Sequence, residues 1–521
     1  MVNQENNSRR RFLKATAVGA FVATVVPESL RGGTSTALDA ESALAGGFES
    51  IAESEKTKKK LFAENSNVVY VDAYAPVGGI GNAISPFKTI SEAIEVIKDL
   101  PKGVVIISEG DYRETLSFGK LTTGDFSFAN REGHTVRIIG SNKIEGFTKT
   151  KGFSHVYEAK LTDKIINWRR VGKVRKLGGV LFEDGRNSRE IPIEDRHPLY
   201  KNLTHRLPFT PIFEAESIEA VDAKAGSFFT KGDKLFLHTN DSVDPNTSGY
   251  SYENITRAAN TFKKAATVDE KTNLHIKGIQ FFFTSSGLQL SGFNDNLLEY
   301  VSSFATPAKG AINPDTGNNT LFYCEGAFCD NDGFNGHFSR YDRFKLLSDN
   351  RVSYPTTKYV GCWGHDNFDD GESSHEHHNV FLDSCLLEYN VKSGCMPSND
   401  ATYIGRDTIF RFNPGQDGFT SSIGAGFALV NPLSSENRVG CSGILSNCIS
   451  YGNNIGFSEM SREDGKLELI NCVSRDNKVC EYTSRKGLLI LRNCRATNND
   501  ESKKKVVNGG KIQIFNDEIL S

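Results

Sequence analysis

One stretch of the chain concentrates side chains that can move protons or hold a metal: Cys362-Trp363-Gly364-His365-Asp366-Asn367-Phe368-Asp369-Asp370-Gly371-Glu372-Ser373-Ser374-His375-Glu376-His377-His378-Asn379. Four of the chain's 11 histidines stand there, interleaved with carboxylates. So many ionisable groups in one segment would repel one another or go unpaired unless a ligand or a reaction uses them. Two chemistries compete for Asp366, Asp369, Asp370 and Glu372. As ligands they suit a hard cation such as Ca²⁺, which takes about six to eight oxygens in flexible geometry. As an acid and base, Asp369 and Asp370 suit cleavage of a glycosidic bond, at about 5 Å separation for retention or about 6.5–9.5 Å for inversion. A third option takes His375 and His377, which alternate along an extended segment, as part of a transition-metal site, although no closed metal-binding signature is met.

Further polar groups flank this stretch. Asp330-Asn331-Asp332-Gly333-Phe334-Asn335-Gly336-His337 precedes it; Glu388-Tyr389-Asn390-Val391-Lys392-Ser393-Gly394, Ser398-Asn399-Asp400 and Gly405-Arg406-Asp407 follow. If the chain repeats about every 20 to 25 residues, positions 332, 370 and 392–407 fall on successive rungs of one face, and groups distant in sequence share a groove. His337, Trp363, His365, Asn390 and Asp407 are then the candidates for substrate contact. Taken singly, each has a plainer reading. Asp332-Gly333 and Asp417-Gly418 are turn formers, Lys392 is a solvated lysine, and His337 or His365 is a satisfied turn histidine.

The elements that must position these groups are repeats. All ten cysteines lie beyond residue 323, several in one context: Asp383-Ser384-Cys385, Ser446-Asn447-Cys448, Ile470-Asn471-Cys472 and Arg492-Asn493-Cys494, the last three cysteines 24 and 22 residues apart. A fixed period with a shared dipeptide signals a solenoid, in which a column of small apolar side chains explains the cysteines without oxidation. The reading is free, buried thiols, with Cys324/Cys329 and Cys472/Cys480 as the pairs to check for a disulfide. Composition agrees with β structure and many turns: 48 Gly, 35 Phe and only 3 Met. A net charge of -3 argues against a nucleic-acid partner.

Near the N-terminal side, Val69-Tyr70-Val71-Asp72 reads as a strand, followed by turn glycines, Ser85-Pro86-Phe87-Lys88-Thr89-Ile90, a helix with Ile90, Ala93, Ile94 and Ile97 on one face, and a strand Val104-Val105-Ile106-Ile107 ending in Gly110-Asp111-Tyr112. This arrangement resembles the cap and first coils of right-handed parallel β-helix proteins of the pectate-lyase-like superfamily. Val180-Leu181-Phe182-Glu183-Asp184-Gly185, with Gly226-Ser227-Phe228-Phe229 and Lys234-Leu235-Phe236-Leu237-His238, resembles the β-sandwich inserted in some of these carbohydrate enzymes. The coils resume from Leu274 and run to about residue 500, and the gap between 324 and 380 holds one ordinary coil plus a long loop, His337 to Lys358.

The resemblance implies an all-β solenoid with an N-terminal capping helix, and a polysaccharide substrate. In β-helix lyases Ca²⁺ neutralises a uronate carboxylate and acidifies the C5 proton. On that analogy Asp366, Asp369, Asp370 and Glu372 are the metal ligands, Lys392 or Arg406 the base, and His375 or His378 a base or proton donor. The alternatives are a glycoside hydrolase working through Asp369 and Asp370, or a glycan-binding protein without catalysis.

Ser8-Arg9-Arg10-Arg11-Phe12-Leu13-Lys14, followed by an apolar run from Ala15 to Val26, resembles a bacterial twin-arginine export signal. The run is too short to span a bilayer, which needs roughly 20 residues, and no later segment is apolar for long enough. The expected organisation is a signal at 1–40, a linker at 41–66, cap and first coils at 67–154, the insert at 155–262 and the main coils at 263–521. The twin-arginine translocase is a partner during export, and the workplace lies outside the cytoplasm.

Overall fold

The computed structural model describes residues 67–515, except 122–123, 169–177, 185–206, 258–259, 264–271, 292–294, 309, 316, 337–354, 416–423, 431–439, 499–501, 503–504 and 508. The export signal, the linker, His337, most of the loop that follows it and Asp417-Gly418 therefore lie outside the described residues. Lys358, read as the end of that loop, stands in a strand, Thr356–Val360.

The chain winds into a right-handed parallel β-helix. The first sheet stacks 13 strands, from Asn67–Val71 to Lys511–Phe515, and the second stacks 11, from Gly110–Tyr112 to Arg495–Thr497. The third side is made by Asn260–Lys263, Leu288–Ser291 and Ile312–Pro314, then by single bridges through Phe334, Glu372, Cys395 and Phe427, then by strands again. The helix Ile90–Ile97 connects the first two strands of the first sheet. Its N-terminus is fixed by a reciprocal cap: Glu92 N–H donates to Thr89 Oγ1 (3.2 Å), and Thr89 N–H donates to the Glu92 carboxylate (2.9 Å). Its buried Ile90, Ala93, Ile94 and Ile97 close the open end of the solenoid.

Each coil repeats the same devices. After the first-sheet strand one residue takes a left-handed turn, and a small residue then fills the inside of the corner. Cys324, Cys362, Cys385, Cys448, Cys472 and Cys494 occupy this column, all buried and none in a disulfide. Most of their thiols donate to carbonyls of the preceding coil, as Cys362 does to Leu321 (3.4 Å) and Cys494 to Leu469 (3.3 Å); Cys448 donates to Ser446 of its own coil (3.3 Å). Thr408 holds the same place in the coil between, its Oγ1 accepting the Cys385 N–H (3.3 Å). All ten cysteines are free, so neither Cys324/Cys329 nor Cys472/Cys480 forms a disulfide.

The next corner, between the second and third sheets, is held by an asparagine ladder. The Asn367 side-chain amide donates to Asn390 (2.9 Å), that of Asn390 to Asn413 (3.1 Å), and that of Asn413 to Asn453 (2.9 Å). Asn390 is thus an inward structural group with no face toward solvent, which corrects its reading as a substrate contact.

Between the first coils and the rest, nine strands running from Ser141–Ile144 to Ser251–Ile255 form a mostly antiparallel sheet. Alternation along Gly178–Asp184 sends Val180 and Phe182 to one face and Leu181 to the other. Phe182 and Phe209 pack on Phe282, Phe283, Phe304 and Phe328, which cover the outside of the second sheet. Among the described residues no helix is long and apolar enough to cross a membrane.

Two outcomes test this architecture. Denatured without reductant, the chain should titrate ten thiols, one for each buried cysteine. Asn390→Ala, which removes one bond from each of the facing Asn367 and Asn413 amides and the donor to the Gly364 carbonyl in a buried corner, should lower stability by about 1–3 kcal/mol in denaturant titration; an unchanged midpoint would mean that the ladder is incidental.

Candidate functional site

Three successive coils place charged side chains at the corner between the second and third sheets, just beyond the asparagine ladder. Asp332 comes from the first, Asp369 and Asp370 from the second, and Lys392 from the third. The carboxylates converge, with ligand atoms within 4.8 Å of one another. Backbone groups fix them: Asp370 N–H donates to Asp332 Oδ1 (3.0 Å), and Ser393 N–H donates to Asp370 Oδ1 (2.9 Å). The Asn335 amide donates to Asp332 Oδ2, and the Lys392 ammonium pairs with Asp369. Glycines follow Asp332, Asp370 and Ser393 because the corner has no room for more. A Cβ on Gly333 would lie 2.7 Å from the Gly371 carbonyl oxygen, and one on Gly371 2.6 Å from that of Gly394.

Burial and like charge dominate the electrostatics. Asp332 and Asp370 are only 2% and 1% exposed. Desolvation, reinforced by the charge of Asp369, pushes both well above the usual carboxylate range. Burial alone would lower the Lys392 pKa, but the charges of Asp369 and Asp370 outweigh it and hold the ammonium protonated. Three carboxylates face one ammonium, so a divalent cation or two protons would bring the cluster to neutrality. The three converging carboxylates could hold a metal ion, and oxygen donors suit a hard cation.

The other groups singled out in the sequence lie elsewhere. Glu372 points into the solenoid, in the column of Phe334, Cys395 and Phe427. There it accepts hydrogen bonds from Ser374 Oγ (2.6 Å) and Tyr403 Oη (2.6 Å), and burial pushes it up to about 7. Asp366 pairs with His365 (2.5 Å). Neither reaches the cluster, so of the four expected ligands only Asp369 and Asp370 lie in it, beside Asp332.

His365 is enclosed between Asp366 and Glu325 (3.1 Å). Burial would lower its pKa, but these two acceptors outweigh it and raise it to about 9. Trp363 stacks on the His365 ring at 3.7 Å and donates from Nε1 to Glu388 (3.1 Å). At 8% and 0% exposure, Trp363 and His365 offer no platform to a sugar, contrary to the sequence reading.

His375 bonds Ser373 (3.0 Å) and Ser398 on the third side, and His378 is buried against Thr357 Oγ1 (2.8 Å) at the following corner. Arg406 pairs with Asp383 (2.5 Å) at the end of a first-sheet strand, and Asp407 is the turn residue after it. These four stand at other corners of the coil and are not brought to the cluster.

Asp332 stands in the cluster; from the sequence it was expected on the same face as residues 370 and 392, with a turn former as its plainer reading. A usable signal was present: Asp332-Gly333, Asp370-Gly371 and Ser393-Gly394 repeat one position of successive coils, and their backbones are bridged (Gly333 N–H to the Asp370 carbonyl, 3.0 Å; Gly371 N–H to that of Ser393, 2.9 Å).

No known protein family and no curated protein matches the chain. Solved structures do resemble it. A complex of XylC with xylose shares 13% identity over 81% of this chain and 68% of that one, with a TM-score of 0.44. A glycoside hydrolase shares 9% over 86% and 96% (TM-score 0.46), and pectate lyase Pel9A 10% over 87% and 80% (TM-score 0.39). At such identities the chemistry of this chain has to be read from its own side chains.

The raised carboxylates predict a pH signature. Asp332 and Asp370 bind protons more tightly folded than unfolded, so their contribution to stability is complete below about pH 4 and is lost as pH rises through their raised values. In chelator, the melting temperature of the native chain should therefore fall relative to that of Asp370→Asn as pH rises from about 4 toward neutrality. Parallel curves would show that the cluster carries no such strain.

Proposed function

We propose that the chain is a polysaccharide lyase that cleaves a uronate-containing glycan by cation-assisted β-elimination. The observation that carries this reading is the convergence of Asp332, Asp369 and Asp370 with Lys392 at one corner. The three carboxylates would hold Ca²⁺, whose charge against a uronate carboxylate acidifies the C5 proton.

Lys392 is the group placed to take that proton. While it pairs with Asp369 it stays an ammonium. Once Asp369 turns to another partner, the side chain loses the contact that keeps it charged, and burial then favours the neutral amine, a competent base. Transfer of the C5 proton to Nζ, formation of the C4–C5 double bond and departure of the C4 oxygen, which takes up a proton, complete the elimination. The Ser8–Lys14 motif supports export through the twin-arginine translocase, which would put the enzyme where such glycans occur.

A second reading has its own support. Burial and the charge of Asp369 raise the proton affinity of Asp332 and Asp370, while Asp369 faces an ammonium, a difference that suits an acid and a nucleophile at a short separation, as in a retaining glycoside hydrolase.

One assay separates the readings. Incubated with uronate-containing and neutral polysaccharides, the chain should produce both reducing ends and the ultraviolet absorbance of an unsaturated uronate, and chelator should abolish both. Asp369→Asn and Lys392→Met should each reduce the rate by about 10²-fold or more. Reducing ends alone, indifferent to chelator, would replace the lyase with the hydrolase; binding without either signal would leave a glycan-binding protein.

A further inference from the structure

Beside the cluster, Phe328 and Phe368 pack edge to face (5.2 Å) and join the phenylalanines under the inserted sheet. The Asp369 and Lys392 side chains keep 13% and 20% of their surface. On the same and following coils a strip of aromatic and guanidinium groups runs down the outside of the second sheet. Tyr389 contacts Phe412 (ring centroids 5.0 Å apart), and Phe412 contacts Tyr451 (5.3 Å). Arg411 donates to Tyr451 Oη (2.7 Å), and the Arg475 guanidinium lies 4.9 Å over the Tyr451 ring.

Register places these groups. Glu388, Arg411, Tyr451 and Arg475 are paired positions on successive coils, so the strip advances by about 4.8 Å per coil, roughly the length of one sugar unit in an extended chain. The Arg411 charge is partly spent on buried Glu388 (2.5 Å). Arg475 is exposed and, among the described residues, makes no ion pair; exposed Lys478 stands on the same coil. With a net charge of -3 the whole chain does not attract polyanions, so any attraction is local to this strip.

We infer that the strip Tyr389, Arg411, Phe412, Tyr451 and Arg475 is a binding track for an extended acidic glycan, with aromatic rings under the sugar faces and Arg475 pairing with a carboxylate several units from the bond that breaks. The inference rests on the acidic-glycan reading above and adds a direction: the substrate lies on the C-terminal side of the cluster, and its length beyond the cleaved bond contributes to binding.

The test measures binding without turnover. The full chain is run in chelator through native gels containing polygalacturonate, alginate or neutral dextran. Retardation by at least one acidic glycan and not by dextran is expected, weakening as salt rises. Arg475→Ala should weaken it about five- to tenfold, with partial recovery in Arg475→Lys. Arg475 is exposed, so loss of fold does not confuse the result, and Tyr451→Leu gives a second probe of the track. Absence of retardation in both acidic gels, or variants that migrate like the native chain, overturns the inference. If retardation behaves as expected while no unsaturated product forms, the track stands and only the lyase reading falls.

Discussion

The stacking of one coil on the next, in unbroken register, is the constraint on which everything at the candidate site depends. In the first sheet the pairing runs Val360 to Asp383 to Arg406 to Ser446 without a slip. A slip of one residue would exchange inward and outward side chains along the strand. The corner that carries the carboxylates has no strand to impose this register. There the asparagine ladder substitutes side-chain amides for a backbone ladder, and the Asp332-Gly333, Asp370-Gly371 and Ser393-Gly394 backbones stack directly beneath it. Asp332 and Lys392 are 60 residues apart in sequence and neighbours in space for this reason.

Features set by period and local chemistry could be read from the chain. The cysteine column, the cap helix with Thr89 and Glu92, and the hairpin Ser227–Lys231 with Lys234–His238 all follow from residue types at fixed spacing. So did the idea that positions near 332, 370 and 392 share a face. Three things were hidden. Glu372 sits only two residues from Asp370, yet the corner turns between them and sends one inward and the other to the cluster. Trp363 and His365 have the composition of a sugar platform, but His365 is satisfied by Asp366 and Glu325, which makes the pair part of the wall. Arg406 lies close to Lys392 in sequence, but a coil carries the chain around the solenoid in that interval, and the guanidinium ends against Asp383.

The same packing that shapes the site sets its electrostatics. Asp332 and Asp370 lie next to the phenylalanines that seat the inserted sheet, through Phe328 and Phe368. Burial raises their proton affinity, while Asp369 is the most exposed of the three and is answered by Lys392. Burying carboxylates in this way costs several kcal/mol. A solenoid confines such a cost, because each coil contacts only its neighbours. The interior core that runs from Val69 to Ala496 passes beneath the cluster without including it.

That confinement has a consequence for how charge is distributed. Asp332 and Asp370 are the two most buried carboxylates, whereas the Asp369–Lys392 pair keeps part of its surface. A positively charged ligand at the cluster would compete with the ammonium for Asp369 and with protons for Asp332 and Asp370, whose proton affinity burial raises. Occupation of the cluster would in this way be coupled to loss of one of the contacts that keep Lys392 charged. The arrangement ties the charge state of the single basic side chain in the cluster to what the carboxylates hold, and it does so through contacts that exist only because three coils are in register.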